Sequence, residues 1–487
     1  MANGILIGPS GYQDIDGVVW GWCWQINQPN NHTLLTYSFP TDPTGYDYHG
    51  TGFQPFNAKQ VAAAKKVLAM YDGVCNLDFQ FTADPASANL RMAEADAVNV
   101  GTGDVSIDTA LGVAPDPNFA PYFAHGDTWF NHTSYNKPTL GSFAFASGVM
   151  HEIGHALGLK HGHMAQEVQD INGAVVYTNP ALSFDHDSLE YSVMTYRSYP
   201  GGDPNVVNAI EFPSTPMQCD ILALQYLYGA NYDHNSGNTV YRFDAETGAM
   251  SINGKSQGAT YHHKIFLTIW DGGGNDTISF ANYKTNAVID LNPGGWSTPW
   301  QKQLADLDIT NPGQHFARGC IANAQLFGGE GWIENGIGGS GNDSISGNAV
   351  SNALIGNAGN DYLAGFGGID ALVGGKGTDI MFGGADTDVF TFRAVKESGV
   401  GTTRHDTIMD FSQFEDDLIN LAKFDANSNK RGTQHFTFID DLGFSHKAGQ
   451  LRFADHLLQG DIDGDGRAEF EVYINANQIF LDDLILR

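Results

Sequence analysis

Apolar and polar positions along this 487-residue chain follow three periods, each in its own stretch. In residues 147–163 the apolar side chains Val149, Met150, Ile153, Ala156 and Leu157 recur at helical spacing. Residues 56–71 show the same period, and the pair Lys65-Lys66 that interrupts it is expected on a solvated helix face. Residues 35–39 alternate as a strand does, and 77–81, 89–93 and 126–131 are read as further strands. Residues 220–231 form an amphipathic helix pattern capped by Gly229, and the polar stretch 235–238 is a linker, dividing the chain into 1–235 and 236–487. From Gly338 to Thr391 the period becomes nine: GGSGNDSIS, GNAVSNALI, GNAGNDYLA, GFGGIDALV, GGKGTDIMF and GGADTDVFT.

The nine-residue period is that of a parallel β-roll that binds Ca²⁺ in its turns. Glycines allow a tight turn whose carbonyls face the ion, the sixth residue adds a carboxylate, and the eighth enters a short strand pointing inward. The inward set is Ile345, Leu354, Leu363, Leu372, Met381 and Phe390. The carboxylates are Asp343, Asp361, Asp370, Asp379 and Asp388, with Asn352 in place of one and Gly384-Ala385-Asp386 disturbing the last turn, so those two sites are expected to be weaker. The glycines that shape the turns are Gly338, Gly339, Gly341, Gly356, Gly359, Gly365, Gly367, Gly374, Gly375 and Gly377. An earlier, isolated turn offers Asp271, Gly273, Gly274 and Asp276. Carboxylates stacked in this way repel, so the segment is expected to fold only with Ca²⁺.

The helix pattern at 147–163 carries the other chemistry. His151 and His155 are four apart and project from one face. Two neutral imidazoles so placed grip one Zn²⁺ at about 2.0–2.1 Å, with a fourth position open for water in a catalytic site. Gly158 lets the chain leave the helix and return His161 as third ligand, while Glu152 is placed to touch a metal-bound water without ligating the metal. His163 is read as a surface or supporting residue. The cluster Asp185, His186 and Asp187 is expected in a solvated loop.

The run His151-Glu152-x-x-His155-x-x-Gly158-x-x-His161, with Ser192-Val193-Met194-Thr195-Tyr196 downstream, resembles the zinc signature and methionine turn of the metzincin metalloproteases, and within them the serralysin branch. The resemblance runs from about Asp14 to the C-terminus. It implies an α+β metzincin-like catalytic domain followed by an all-β parallel β-roll or β-sandwich domain, and a zinc endopeptidase secreted outside the cell. It implies that Met194 lies beneath the imidazoles and that Tyr196 is an extra, displaceable zinc ligand that later stabilises the oxyanion. It also adds Glu334, Glu397 and Asp406 to the calcium set. In the family the stretch at 126–131 lies above the active-site helix; an open strand edge there would pair with an extended peptide, and the edge reading is preferred to that of an internal strand. Implied partners are a protein or peptide substrate, the type I secretion machinery and a small protein inhibitor, for a monomeric chain.

Composition narrows the alternatives. The balance of 24 basic to 55 acidic residues gives a charge of −31, which disfavours nucleic acid and anionic membranes as partners. No apolar run approaches the roughly 18 residues of a membrane span. Residues 1–10 lack the basic region and apolar core of a cleavable secretory signal. The acidic and apolar residues 480–487 instead look like a C-terminal export signal of type I secretion, a route that needs no leader. Cys23, Cys75, Cys219 and Cys320 form no C-x-x-C pair; they are either one or two disulfides or, preferably, small buried hydrophobes. The run Asp461-x-Asp463-Gly-Asp465-Gly-x-x-Glu469 lacks an EF-hand's twelfth ligand, leaving a calcium-stiffened hairpin or an acidic turn. Two rival functions stand beside the protease: an adhesin with a vestigial site, and a metal-dependent cell-wall amidase.

Overall fold

The computed structural model of the chain describes residues 4–46, 48, 50–99, 105–107, 110–118, 124–205, 207–324 and 331–487. Met1, Ala2 and Asn3 of the N-terminal stretch considered above lie outside them.

Four helices recur below: α1 (Gln13–Asp16), α2 (Ala58–Val74), α3 (His151–Ala156) and α4 (Gln218–Tyr228). The start of α2 is fixed by Asn57, whose side chain accepts from the amides of Lys59 and Gln60 while Gln60 returns a bond to the Asn57 amide. Its apolar stripe (Ala63, Ala64, Val67, Leu68, Tyr71) enters the core. Lys65 is exposed, but Lys66 is half-buried and donates to the Gln257 carbonyl at 2.6 Å, so only one of the pair lies on a solvated face. The long stem of a lysine can cover apolar surface and still reach a polar end point.

A five-stranded sheet packs with these helices. Its order is Leu77–Phe81, Thr33–Ser38, Leu90–Glu94, Thr128–Phe130 and Ala110–Gly112, parallel except for the last. Thr128–Phe130 is therefore an internal strand, which corrects the edge reading of residues 126–131. Among the described residues the open edge beside α3 is Ala110–Gly112, because that strand pairs antiparallel and takes the outer position.

The second half winds as a roll between two sheets of ten and nine strands. Successive half-turns alternate between the sheets and pair in parallel with strands 18 residues on, Leu354 opposite Leu372 and Ile345 opposite Leu363 opposite Met381. All six predicted inward residues are fully buried, so the nine-residue period is the half-turn of the coil. Each such side chain contributes about 1.5–3 kcal/mol of hydrophobic burial. The turn at 271–276 is not isolated: its strand Thr277–Ser279 pairs with Asn335–Ile337, which pairs with Ala353–Ala358, making it an outer coil of the same roll. Between them Val288–Asp290 pairs in parallel with Ser344–Asn348 in the other sheet, and a further excursion brings Ala305, Leu307 and Ala317 into the core of the first half. Strands Asp406–Ile408 and Leu418–Asn420 extend the two sheets, and Leu484–Ile485 pairs with the latter.

The four cysteines are buried thiols without disulfides. No described helix is long and apolar enough to cross a membrane.

Candidate active site and cation sites

A wide-turned helical stretch, Ala144–Met150, runs into α3 and delivers His151 and His155 to one face. Gly158 then takes φ +99°, and a Cβ there would lie 2.4 Å from the Trp22 carbonyl oxygen, so only glycine permits the turn that returns His161. The Nε2 atom of His161 lies 3.1 Å from that of His155 and 3.2 Å from that of His151. The Nδ1–H of His151 donates to the Val193 carbonyl and that of His155 to the Leu159 carbonyl, each at 2.8 Å. With those protons on Nδ1, two Nε2 lone pairs are bare and converge with the third ring. Burial, chiefly, pushes His151 down to about 3 and His155 to about 4, and His161 further, so all three rings are neutral, as ligands of a cation must be. Converging bare lone pairs repel one another unless a cation lies among them. The donor set fits zinc.

Glu152 sits beside these rings, only 7 % exposed, and its carboxylate accepts the Gly112 amide of the edge strand. Burial pushes it up to about 8, against the pull of that amide. The Tyr196 ring lies 4.6 Å from the His161 ring and 4.8 Å from that of His163, centroid to centroid. Burial, with the nearby Glu152 charge, raises its hydroxyl to about 12, so it keeps its proton. A cleft of about 200 Å³ opens here, lined by Trp20, Leu111, Gly112, Glu152, His161 and Tyr196 among others. His163 is half-buried against Tyr196 and His161.

The methionine turn holds the histidines. Val193 supplies the carbonyl that orients His151, and the Met194 carbonyl accepts from Gly162 at 3.1 Å, just after His161. Met194 is fully buried, and a Cβ on Gly154 of α3 would lie 2.8 Å from its sulfur. Asp220, buried in the first turn of α4, accepts from the Ser192 hydroxyl (2.6 Å) and the amides of Val193 and Met217 (2.9 Å each). Asp187 is buried too: it accepts from the Thr195 hydroxyl and from Arg197 Nε at 2.7 Å. Of the cluster expected in solvent, Asp185 is exposed, His186 pairs with Asp14 at 2.7 Å, and Asp187 fastens the turn. Lys160 was not anticipated at all. It is 2 % exposed and donates to the carbonyls of Gly17, Met164 and Pro180, bracing the chain on either side of His161. A lysine set between Leu159 and His161 was its only signal in the sequence.

In the roll, carboxylates form a ladder. Asp361, Asp370, Asp379 and Asp388 each accept through Oδ1 from an amide 18 residues earlier, at 2.6–2.9 Å, and Asp406 accepts from Asp379 at 2.8 Å. Among the described residues, their Oδ2 atoms and that of Asp276 are buried without a partner. A row of buried, unsatisfied carboxylate oxygens is costly unless a cation meets them. Burial, then neighbouring carboxylates for most of them, pushes Asp361, Asp370 and Asp388 up to about 7, Asp379 to about 6 and Asp406 to about 9. A Cβ on Gly338, Gly356, Gly365 or Gly374 would lie 1.9–2.4 Å from the Oδ2 of Asp343, Asp361, Asp370 or Asp379, so glycine is what leaves those oxygens room. Gly377 takes φ +144° with its Cβ position 1.7 Å from the Gly359 carbonyl oxygen. Gly339, Gly341, Gly359 and Gly375 also abut backbone, Gly273 and Gly274 have positive φ, and Gly367 shows neither constraint.

Other predicted ligands stand differently. Asp343 accepts the amides of Ala287 and Gly339, and Asp271 accepts from the Tyr241 hydroxyl and the Gly273 amide, so both oxygens of each are engaged. Glu334 accepts the Asp276 amide, and the charge of Glu397 raises Asp379 and Asp406. Asn352 accepts the Asn348 amide and donates to the Asn348 side chain, closing that turn on itself. Asp417 continues the ladder by accepting the Asp388 amide at 2.9 Å; its Asp-x-Ile spacing matches the repeat and was the signal available. Asp461 accepts the amides of Gly464 and Gly466 in the turn between Leu457–Asp461 and Phe470–Ile474, with Asp463 and Asp465 exposed beside it.

Fold and site together define a mostly β chain that joins a buried three-histidine cluster to a parallel β-roll. Residues 230–299 and 318–486 match the family model described as Peptidase M10 serralysin C terminal. Metallopeptidase AprA of Pseudomonas marginalis is 29% identical over 360 residues, 72% of this chain and 65% of its own length. Serralysin of Photorhabdus sp. (strain Az29) is 31% identical over 330 residues, 66% of this chain and 60% of its own, and serralysin of Proteus mirabilis 30% over 350 residues, 68% and 62%. The chain belongs to the serralysin family. It spans less than two thirds of the length of these relatives.

Proposed function

We propose that this chain is a secreted zinc endopeptidase whose residues 1–235 carry the catalytic site and whose residues 236–487 are folded by calcium. The observation that carries the reading is the convergence of three neutral imidazoles with Glu152 in a cleft whose wall is an open strand edge. His151, His155 and His161 are the proposed zinc ligands, and Tyr196 a fourth that substrate displaces. Bound there, zinc supplies Lewis acidity to a scissile carbonyl and to water.

The chain's own residues do the rest. The edge Ala110–Gly112 offers backbone groups to an extended peptide, laying a scissile amide across the cleft. Glu152 takes the proton of the attacking water and delivers it to the departing amine. The Gly112 amide that bonds Glu152 ties the base to the strand that aligns substrate. Tyr196, still protonated, donates to the oxyanion as charge develops.

The bare Oδ2 atoms of Asp276, Asp361, Asp370, Asp379, Asp388 and Asp406 support calcium in the roll, with Glu334, Glu397, Asp271 and Asp343 alongside. Export through type I machinery in the calcium-poor, unfolded state, with folding in millimolar calcium outside, is part of the same proposal, and the ladder is what supports its calcium step. Casein and peptidoglycan digests with and without chelator test the activity. Zinc-dependent cleavage of casein is expected; cleavage of peptidoglycan alone, or of neither, contradicts it.

A further inference from the structure

A second cluster of metal donors lies away from the imidazoles. Asp14 of α1, His186 of the segment that leads into the methionine turn, and Cys219 of α4 each offer a donor atom, and the three lie within 4.8 Å of one another. The Nδ1 of His186 is 2.7 Å from Asp14 Oδ1, with the two side chains about a quarter exposed (28% and 26%). Cys219 is fully buried, and among the described residues its thiol makes no hydrogen bond. Its backbone amide donates to the Tyr191 carbonyl at 2.8 Å, and the Tyr191 ring stacks on His186 at 4.1 Å, so thiol and imidazole are held on one rigid unit.

We propose that Asp14, His186 and Cys219 form a second transition-metal site, for Zn²⁺ or a cation of like preference, that clasps α1 and α4 to the loop before the methionine turn. An ion pair between Asp14 and His186 has no use for a buried sulfur beside it, whereas a mixed oxygen, nitrogen and sulfur set suits zinc with water from the open side as fourth ligand. Burial and the Asp14 charge hold the free thiol protonated; a bound cation reverses that balance and releases the proton. The position of Cys219 in the first turn of the 11-residue α4 favours the thiolate as well. The site shares no ligand with the histidine cluster, so it stands or falls separately from the proposed activity.

The test is cobalt titration of the metal-free full chain with calcium present. The wild type is expected to bind a second equivalent with a near-ultraviolet thiolate-to-cobalt charge-transfer band. Cys219→Ser and His186→Gln should lose that band and one equivalent; Cys320→Ser and His155→Ala should keep the band. Should Cys219→Ser fail to fold, His186→Gln, whose side chain is partly solvated, decides. A single equivalent in the wild type, a spectrum without the thiolate band, or a band that survives both Cys219→Ser and His186→Gln would show an ion pair only and overturn the proposal. Zinc should also raise the Tm of His155→Ala and leave that of the double variant His155→Ala, His186→Gln unmoved; equal responses count against the site.

Discussion

The two halves of the molecule treat buried carboxylates in opposite ways. In the first half each has protein donors on its oxygens: Asp220 holds a hydroxyl and two amides, Asp187 a hydroxyl and a guanidinium, and Asp127 the Arg91 guanidinium at 2.7 and 2.8 Å. In the roll Asp361, Asp370, Asp379, Asp388 and Asp406 each have one oxygen held by an amide and the other, among the described residues, left bare. The first arrangement is complete as polypeptide; the second, on the proposed reading, is completed by a cation. A buried acid thus signals scaffold where its partners are protein groups, and a cation site where they are missing.

Calcium removal should separate the halves most sharply. Chelation is expected to unfold residues 338–391 and to leave the α2 and α4 helices of the first half in place. Hydrogen exchange read segment by segment should show the roll losing protection and those helices keeping it; uniform loss would mean that the halves are not distinct in this respect.

Next in size is Asp220→Ala. It leaves the Ser192 hydroxyl and the Val193 and Met217 amides buried without an acceptor, at about 1–3 kcal/mol for each such group. Val193 also positions His151, so weaker zinc retention is expected along with a lower denaturant midpoint. Unchanged stability would mean that the network does not hold the turn.

The pH dependence of the calcium-free chain is smaller but has a definite sign. The roll carboxylates are raised in the folded state, to about 6 for Asp379, about 7 for Asp361, Asp370 and Asp388, and about 9 for Asp406. Stability linked to their protonation is present in full below the ordinary carboxylate value near about 3.9 and is lost as pH rises through the folded values. Without calcium the roll should therefore melt progressively between about pH 4 and 9, whereas saturating calcium should flatten or reverse the trend. The smallest effect is Asn352→Asp, which restores a carboxylate to a turn now closed by Asn348. A modest rise in calcium affinity by calorimetry is expected, and a fall would mean that the Asn pair serves the fold better than an ion does.

Much of this was legible beforehand where one local period carried the information. The i, i+4 spacing of His151 and His155, the turn at Gly158 and the phase of the six inward residues from Ile345 to Phe390 all depend on neighbours in the chain. What escaped depends on distant partners. Edge and internal strands look alike in sequence, and only the antiparallel return of Ala110–Gly112 decides between them. Lys66 finds its acceptor at Gln257, and the strand after the turn at 271–276 finds its sheet neighbour only at Asn335. Asp187 and Asp220 are ordinary loop and helix acids until the methionine turn folds over them.

The central claim is that three imidazoles and Glu152 form a hydrolytic zinc centre. Glu152→Ala, purified with calcium and loaded with zinc, tests it directly. The account predicts that the variant binds zinc at His151, His155 and His161 as the wild type does and cleaves casein about 10²–10⁴-fold more slowly. Full proteolysis by the zinc-loaded variant, or a wild type that takes up no zinc and leaves casein intact, would contradict it.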